Sequence, residues 1–140
     1  MDEKLREALF KAVRKEPFAQ ALNMSLVELD RGYSVVEMTY DSDHMDNIYQ
    51  HAHGGALYGL IDEAFETACQ TEGTIAVALN MNVTYVASPM AGARLRAVAR
   101  QISQTKKTAS FDIKVTDDTD ALIASCSALA YRTGKPIPFL

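Results

Sequence analysis

The longest apolar segment of the chain lies near its middle and has the spacing of a helix. Its apolar residues recur at steps of three and four positions, at Ala56, Leu57, Leu60, Ile61, Ala64, Phe65 and Ala68. This period predicts an amphipathic helix with a broad buried face. Gly73 is a candidate helix stop, because glycine readily adopts the left-handed conformation of a C-cap.

Alternating apolar and polar positions predict strands on both sides of this helix. The predicted elements are a helix over 5–13, strands over 24–29 and 33–40, the long helix from 56, and strands over 75–85, 94–102, 109–116 and 122–131. Residues 41–47 are predicted as a polar loop and the tail from Gly134 as irregular. Strands interrupted by one apolar helix favour an α+β fold, with an antiparallel sheet wrapped around that helix.

Composition indicates a globular domain rather than a disordered or membrane-spanning chain. Of the 140 residues, 48% are apolar and 23% are charged, which predicts one domain over residues 1–140. No apolar run is long enough to cross a bilayer, and the N-terminus carries acids where a secretory signal would not. We therefore expect a cytoplasmic protein with Cys69 and Cys126 as free thiols. The net charge of −4 argues against a nucleic-acid partner.

Three acids, Asp62, Glu63 and Glu66, interrupt the apolar helix. At about 100° per residue, Gly55, Gly59, Asp62 and Glu66 fall within a narrow arc opposite the main apolar stripe. A glycine inside a helix costs about 0.5–1 kcal/mol relative to alanine, so Gly59 predicts the close approach of another backbone, a partner helix or a ligand. The alternative is an arc that faces solvent, with solvated acids.

The start of the long helix has no residue with a preferred capping side chain before its two glycines. Its first amide N–H groups are therefore predicted to be open, and the helix dipole makes them attractive to a developing negative charge. Such amides suit an oxyanion hole. A nucleotide P-loop is not supported, because no Lys-Ser/Thr pair follows the glycines.

Five residues of this region form the pattern Asn-x5-His-Gly-Gly-x6-Asp, namely Asn47, His53, Gly54, Gly55 and Asp62. With the apolar helix and the strands that follow, the pattern resembles the hot dog-fold acyl-CoA thioesterases, and most of all their PaaI-like (phenylacetic acid degradation) branch. The resemblance extends to the strand around Asn80–Tyr85 and the Ser88-Pro89 turn. It implies the hot dog fold, an antiparallel sheet wrapped around one long central helix, here with a short N-terminal helix.

The resemblance also implies roles for individual residues in the hydrolysis of an acyl- or aryl-acyl-CoA thioester. Asp62 would act as nucleophile or general base, and the amide of Gly54 would polarise the thioester carbonyl. Asn47 would hold the water or the carbonyl, His53 would shape the loop and the helix start, and Gly55 would lie against the substrate. No cofactor and no metal are implied, since coenzyme A enters only as part of the substrate.

The spacing of Gly54 and Asp62 indicates that one helix cannot supply both groups to the same carbonyl. Eight residues correspond to about 12 Å along a helix, whereas both groups must lie roughly 3 Å from the reacting atoms. Two antiparallel copies can supply them, with Gly54 of one subunit facing Asp62 of the other. We therefore expect a homodimer with two shared sites, paired further into a tetramer, and Gly59 in a close contact between the two helices.

Further residues are candidates for substrate contact. Tyr58 and Phe65, together with Met45 and Tyr49, could line the acyl pocket, and Glu66 could contact substrate or partner. Lys106 and Lys107, at a turn, are candidates for the phosphates of coenzyme A. The strand that carries Arg94, Arg96 and Arg100 is a second basic candidate, or an ordinary exposed strand face.

Alternative chemistries have weaker support in the sequence. His51 and His53, with His44 and Asp46 nearby, lack a clear further ligand at metal-site spacing. Cys69 has no evident base, so it is predicted to be a core thiol rather than a nucleophile. A non-catalytic acyl-CoA binding or sensing module is disfavoured by Asp62, and a hot dog acyl-CoA or acyl-ACP dehydratase by the spacing of the motif.

Overall fold

Four helices and six strands make up the chain, and the computed structural model describes residues 1–140. The helices are α1 (Glu3–Val13), α2 (Pro17–Ala21), α3 (Ser42–Met45) and α4 (Gly54–Cys69). The strands are β1 (Ser25–Asp30), β2 (Tyr33–Thr39), β3 (Thr74–Tyr85), β4 (Arg94–Gln104), β5 (Thr108–Thr116) and β6 (Leu122–Pro136).

The strands form one six-stranded antiparallel sheet in the order β1-β2-β4-β5-β6-β3. The long helix α4 packs against one face of this sheet and contacts every strand. The predicted α+β architecture, a sheet wrapped around one central helix, is therefore confirmed. Strand β3 follows α4 in the chain, but its only neighbour in the sheet is β6, so β3 lies at an edge of the sheet.

The core lies between α4 and the sheet, as the apolar period predicted. Leu60, Ile61 and Ala64 of α4 are completely buried, and Phe65 is 1% exposed. The ring of Phe65 meets that of Phe111 on β5 edge-on, with 5.4 Å between the centroids. Removing a buried aromatic ring of this kind costs about 3–5 kcal/mol, so this contact fixes α4 on the sheet.

The N-terminal segment contains two helices where the sequence predicted one. Asp2 caps α1 by accepting a hydrogen bond from the amide of Leu5, and Leu9 and Val13 are buried. Pro17 was expected only to stop a helix, but it begins α2, because the first helical position needs no amide hydrogen. This short helix places Phe18 on the outside of α4.

The other departures from the predicted elements occur at their ends. Helix α4 ends at Cys69, and Gly73, with φ +78°, lies in the turn to β3 rather than at the helix end. The tail from Gly134 is not irregular, because β6 continues to Pro136 alongside the start of β3. The predicted loop 41–47 contains the single-turn helix α3, whose start Asp41 caps.

Both cysteines are free, as predicted, with Cys126 buried and Cys69 half-buried. Helices long and apolar enough to cross a membrane are absent from the structure.

Candidate active site

The start of α4 is capped by a side chain that the sequence reasoning did not recognise. His53 Nδ1 accepts a hydrogen bond of 2.9 Å from the amide of Gly55, and the carbonyl of His53 accepts from Ala56 and Leu57. The expectation that all the first amides are open is therefore wrong, because an imidazole nitrogen can accept as the usual caps do. Among the amide N–H groups of residues 54–57, only that of Gly54 has no acceptor within the chain.

The loop before α4 is held in place by its own hydrogen bonds. The side-chain oxygen of Asn47 accepts from the amides of Tyr49 and His51, and the amide of His53 donates to the Met45 carbonyl. Gln50 has φ +61°, a conformation that favours glycine. The side-chain oxygen of Asn47 thus shapes the loop, and its side-chain NH2 group has no acceptor within the chain.

Tyr85, at the end of β3, holds Gly54 from the other side. Its hydroxyl donates a hydrogen bond of 3.1 Å to the Gly54 carbonyl. A Cβ atom at Gly54 would lie 3.1 Å from Cζ of the same ring, so a side chain there would require the ring to shift slightly. Sequence reasoning placed Tyr85 on a strand without assigning it to the site. The contact joins residues far apart in sequence, so no local pattern indicates it.

Asp62 lies two turns further along α4 in a cleft of about 220 Å³. The cleft is lined by Asp62, Phe65, Glu66, Cys69, Ala76, Val77 and Ala78. The half-buried carboxylate of Asp62 forms no hydrogen bond and no ion pair within the chain, and desolvation raises its pKa above the usual aspartate value. An unpaired, partly desolvated carboxylate of this kind is suited to act as a base or a nucleophile.

Tyr58 lies between Gly54 and Asp62 on the side of α4 that faces β3. Its hydroxyl is 3.3 Å from the sulfur of Met81, and its pKa is raised by desolvation and by the charge of Asp62. Helix α4 therefore runs antiparallel to β3. Gly54 contacts the end of the strand at Tyr85, and Asp62 lies near its beginning at Ala76.

The remaining residues that were predicted to contact substrate lie at two places, on α4 and in the β4–β5 turn. Phe65 borders the Asp62 cleft but belongs mainly to the core, whereas Gly55 is exposed at the helix start. Lys106 and Lys107 are exposed in the β4–β5 turn, and the amine of Lys107 lies 5.6 Å from the ring centroid of Tyr131. Tyr131 pairs with Val77 of β3, so this turn lies at the Asp62 end of the sheet.

The arginine-bearing strand is not a free basic surface. Arg94 and Arg96 both form ion pairs with Glu37, and Arg96 also binds Glu28. Arg100 lies over the ring of Tyr33, 4.5 Å from its centroid. The two glutamates neutralise Arg94 and Arg96, and the Tyr33 ring covers the guanidinium of Arg100 without neutralising it. Lys106 and Lys107 are therefore the better candidates for phosphate contact.

Gly59 does not lie on an open helix face, contrary to the helical-wheel interpretation. It is buried under α2, where an added Cβ would lie 2.9 Å from Phe18 Cζ and 3.2 Å from Leu22 Cδ1. The close approach inferred from this glycine exists, but the approaching element is α2 of the same chain. The predicted contact of Gly59 with a twin helix is therefore wrong.

The other acids, the thiol and the histidines have separate surroundings. Glu63 is 2% exposed and points away from the cleft of Asp62, under the α1–α2 turn. Burial, together with the charges of Glu66 and Asp62, raises the pKa of Cys69, which disfavours a thiolate nucleophile. His44 binds Asp41, with 2.7 Å between Nδ1 and Oδ2.

Comparison with known proteins identifies relatives over nearly the whole chain. The thioesterase superfamily matches residues 49–124. The acyl-coenzyme A thioesterase PaaI of Escherichia coli (strain K12) is 34% identical over 119 residues, which cover 85% of this chain and 84% of the relative. These similarities confirm the resemblance inferred from the motif.

Solved structures agree with this assignment. The E. coli PaaI protein from the phenylacetic acid degradation operon matches with a TM-score of 0.91 and 30% identity, covering 96% of this chain and 97% of that one. A Streptococcus mutans UA159 protein bound to acetyl CoA matches with a TM-score of 0.77 and 25% identity, covering 82% and 92% of the two chains. The hot dog fold expected from the sequence is thus confirmed.

Proposed function

Because the chain belongs to the thioesterase superfamily, we propose that it hydrolyses an acyl- or aryl-acyl-CoA thioester to the free acid and coenzyme A, with Asp62 and Gly54 as its catalytic groups. One observation carries the proposal. The free amide of Gly54 and the unpaired carboxylate of Asp62 lie on the same helix and face opposite ends of one edge strand. Thioester hydrolysis needs a nucleophile or base, which is the role of Asp62, and a donor to the negative oxygen, which is the role of the Gly54 amide.

The chemistry follows from these two groups. The carboxylate of Asp62 either attacks the thioester carbon or removes a proton from a water that attacks it, and the carbonyl oxygen becomes negative. The Gly54 amide at the N-terminus of α4 donates to that oxygen, a contribution of about 2.7–4 kcal/mol in comparable sites. The tetrahedral intermediate then collapses and the bond from carbon to sulfur breaks. In the water route, Asp62 returns the proton that it took from water to the leaving thiolate, which gives the free acid and the thiol. In direct attack, coenzyme A leaves as the thiolate, and water then hydrolyses the anhydride between the acyl group and Asp62, which restores the carboxylate.

The two groups meet only if two chains combine. Strand β3 exposes Val77, Leu79 and Tyr85, each about half accessible, along an edge with no strand beside it. A second copy of β3 pairing antiparallel about a two-fold axis through its middle would bring the Tyr85 end of one strand to the Val77 end of the other. Gly54 of one subunit then lies beside Asp62 of its partner. We propose this homodimer as the active unit, with a further pairing into a tetramer.

Release of free thiol over a panel of acyl- and aryl-acyl-CoA substrates tests the activity. Asp62→Asn is expected to lower kcat by at least about 100-fold, because the amide can neither attack nor accept the proton of water. Asp118→Asn, at an exposed and unpaired turn position, is the matched control and should retain full activity. Binding without turnover by the wild type would indicate a non-catalytic binding module instead.

The shared site has a sharper test in mixed dimers. Gly54→Pro removes the amide hydrogen at the first helical position, where proline is accepted, and Gly54→Ala keeps that hydrogen while adding the same contact to Tyr85. We expect Gly54→Pro to be roughly 100-fold slower than Gly54→Ala.

The Asp62→Asn chain keeps the Gly54 amide, and the Gly54→Pro chain keeps the Asp62 carboxylate, so the two chains can complement each other. When Asp62→Asn and Gly54→Pro chains are unfolded together and refolded, half of the dimers are mixed, and each mixed dimer has one intact site. About a quarter of the wild-type activity should return. If both groups belonged to one subunit's own site, no activity would return and the shared arrangement would be refuted.

A further inference from the structure

Three carboxylates meet at the junction between the N-terminal helices and α4, and one of them also borders the Asp62 cleft. They belong to Glu16, in the turn between α1 and α2, and to Glu63 and Glu66, one turn apart on α4. One oxygen from each of the three lies within 4.8 Å of the other two. Glu66 is exposed and Glu16 is partly buried, but Glu63 is shielded from water, so the two neighbouring charges disfavour its ionised form unless they are compensated.

The most buried member of this cluster has an oxygen with no partner. Glu63 is 2% exposed, and its Oε1 is the one buried side-chain polar atom of the chain without a hydrogen bond. Leaving a buried carboxylate oxygen unpaired costs several kcal/mol, so such groups are normally paired or bound to metal. Glu63 is thus a buried acid that needs a partner rather than a solvated acid.

The chain supplies no cation to the cluster. None of its ion pairs includes Glu16, Glu63 or Glu66, and Asp62 adds a further negative charge from the next position of α4. Lys15 borders the neighbouring cleft but forms no ion pair with the three acids. That cleft, about 550 Å³ and open to solvent, offers a path by which an ion and its water could reach the carboxylates.

We propose that Glu16, Glu63 and Glu66 bind one hard divalent cation, such as Mg²⁺, Mn²⁺ or Ca²⁺, which fastens the α1–α2 turn to the central helix. Carboxylate oxygens are the ligands that these ions prefer, and the open cleft allows water to complete the coordination. Two of the three ligands, Glu16 and Glu63, lie outside the Asp62 cleft, and Glu66 borders it. Nearby Gln70 and Thr67 are not ligands, because their polar groups bind Ala76 and the α4 backbone.

A proton is the competing occupant of this cluster. Glu63 and Glu16 lie close enough for their carboxyl groups to share one hydrogen bond if one of them is protonated. A shared proton neutralises one charge, whereas a divalent cation neutralises two.

Thermal unfolding of the full chain, first freed of metal with a chelator, tests the proposal. Near pH 8, Mn²⁺, Mg²⁺ or Ca²⁺ at about 100 times its Kd should raise the unfolding midpoint of the wild type by roughly 5 °C or more. Titration calorimetry with Mn²⁺ should give one ion per chain. Glu63→Gln and Glu16→Gln should still fold, since each removes a repelling charge, but should lose both responses.

Glu7→Gln, an exposed and unpaired position on α1, is the matched control and should respond to the cation as the wild type does. Two results would overturn the proposal. The first is a wild type whose midpoint does not respond to any of the three cations, which would assign the cluster to a shared proton. The second is an equal response in Glu63→Gln, which would show that the ion binds elsewhere.

Discussion

Neighbouring acids on one helix acquire different properties from the surfaces that they face. Asp62 points into a cleft beside β3, where it is half-buried and unpaired, whereas Glu63 is sealed under the α1–α2 turn. Both pKa values are raised by loss of water, but only Asp62 is accessible to a substrate. At the residue scale, function therefore depends on direction around the helix rather than on residue type.

The raised pKa of Asp62 predicts the acid limb of the pH–rate profile. The ionised form is the one that attacks or accepts a proton, so kcat/KM should fall as the pH falls through the raised pKa. The limb should lie above the ordinary aspartate value of 3.8. Rates measured over a pH range in which circular dichroism shows a folded protein provide the check. A limb at or below 3.8 would exclude Asp62 as the titrating group.

The raised pKa of Asp62 also affects the stability of the fold. A carboxyl whose pKa is higher in the folded than in the unfolded state favours folding at low pH, and this contribution is lost as the pH rises through the folded pKa. At neutral pH the charge of Asp62 therefore costs stability. The inactive Asp62→Asn variant should accordingly unfold at a higher urea concentration than the wild type.

The His53 cap predicts a further pair of substitutions. His53→Ala removes the acceptor for the Gly55 amide and should lower the free energy of unfolding by about 0.5–2 kcal/mol. His53→Asn supplies another capping oxygen and should recover most of that loss. Urea unfolding of the three proteins checks this. Equal stability of the alanine and asparagine variants would show that the cap contributes nothing.

At the scale of elements, the position of α2 over Gly59 is the feature that local patterns could not provide. A Cβ added there points at the tip of the Phe18 ring, which is 49% exposed and free to move. Gly59→Ala should therefore change the free energy of unfolding by less than about 1 kcal/mol, because the gain in helix propensity offsets the crowding. Gly59→Leu should cost about 1–3 kcal/mol.

Phe18→Ala in the Gly59→Leu background supplies the control for this prediction, because it removes the obstructing ring. The double variant should be less destabilised than the sum of the two single variants, as measured by urea unfolding. Additive losses would mean that α2 does not confine the new side chain.

The sequence was sufficient for elements whose period is long and regular, such as α4 and the strands. It was insufficient where a contact joins distant segments. Helix α2 has five residues, too few for a period, and its first residue was interpreted as a stop. His53 was missed as a cap because histidine is uncommon there, and Tyr85 because its partner Gly54 lies on another element. The roles of Gly54 and Asp62 stay predictions that rest on the resemblance of the motif to the hot dog thioesterases.

At the scale of the whole molecule, the proposed shared site makes activity depend on the exposed edge of β3. Leu79 is 57% exposed near the middle of this strand. Leu79→Lys places a charge where the two copies would pair, so we expect a folded monomer with little thioesterase activity. Ile102→Lys, at a comparably exposed position on β4, should remain dimeric and active. Light scattering and thiol release on the same samples distinguish these outcomes, and an active Leu79→Lys monomer would refute the shared site.

The pairing of β3 with β6 also has a consequence for the order in which the protein matures on the ribosome. Strand β3 finds its sheet neighbour only in the last strand of this chain, as the register partners Val83 and Cys126 illustrate. While β6 is still being synthesised, β3 has no strand to align with and cannot present a finished edge. In the proposed dimer, a nascent chain is thus unable to offer a finished β3 edge to a second subunit before β6 has joined its own sheet.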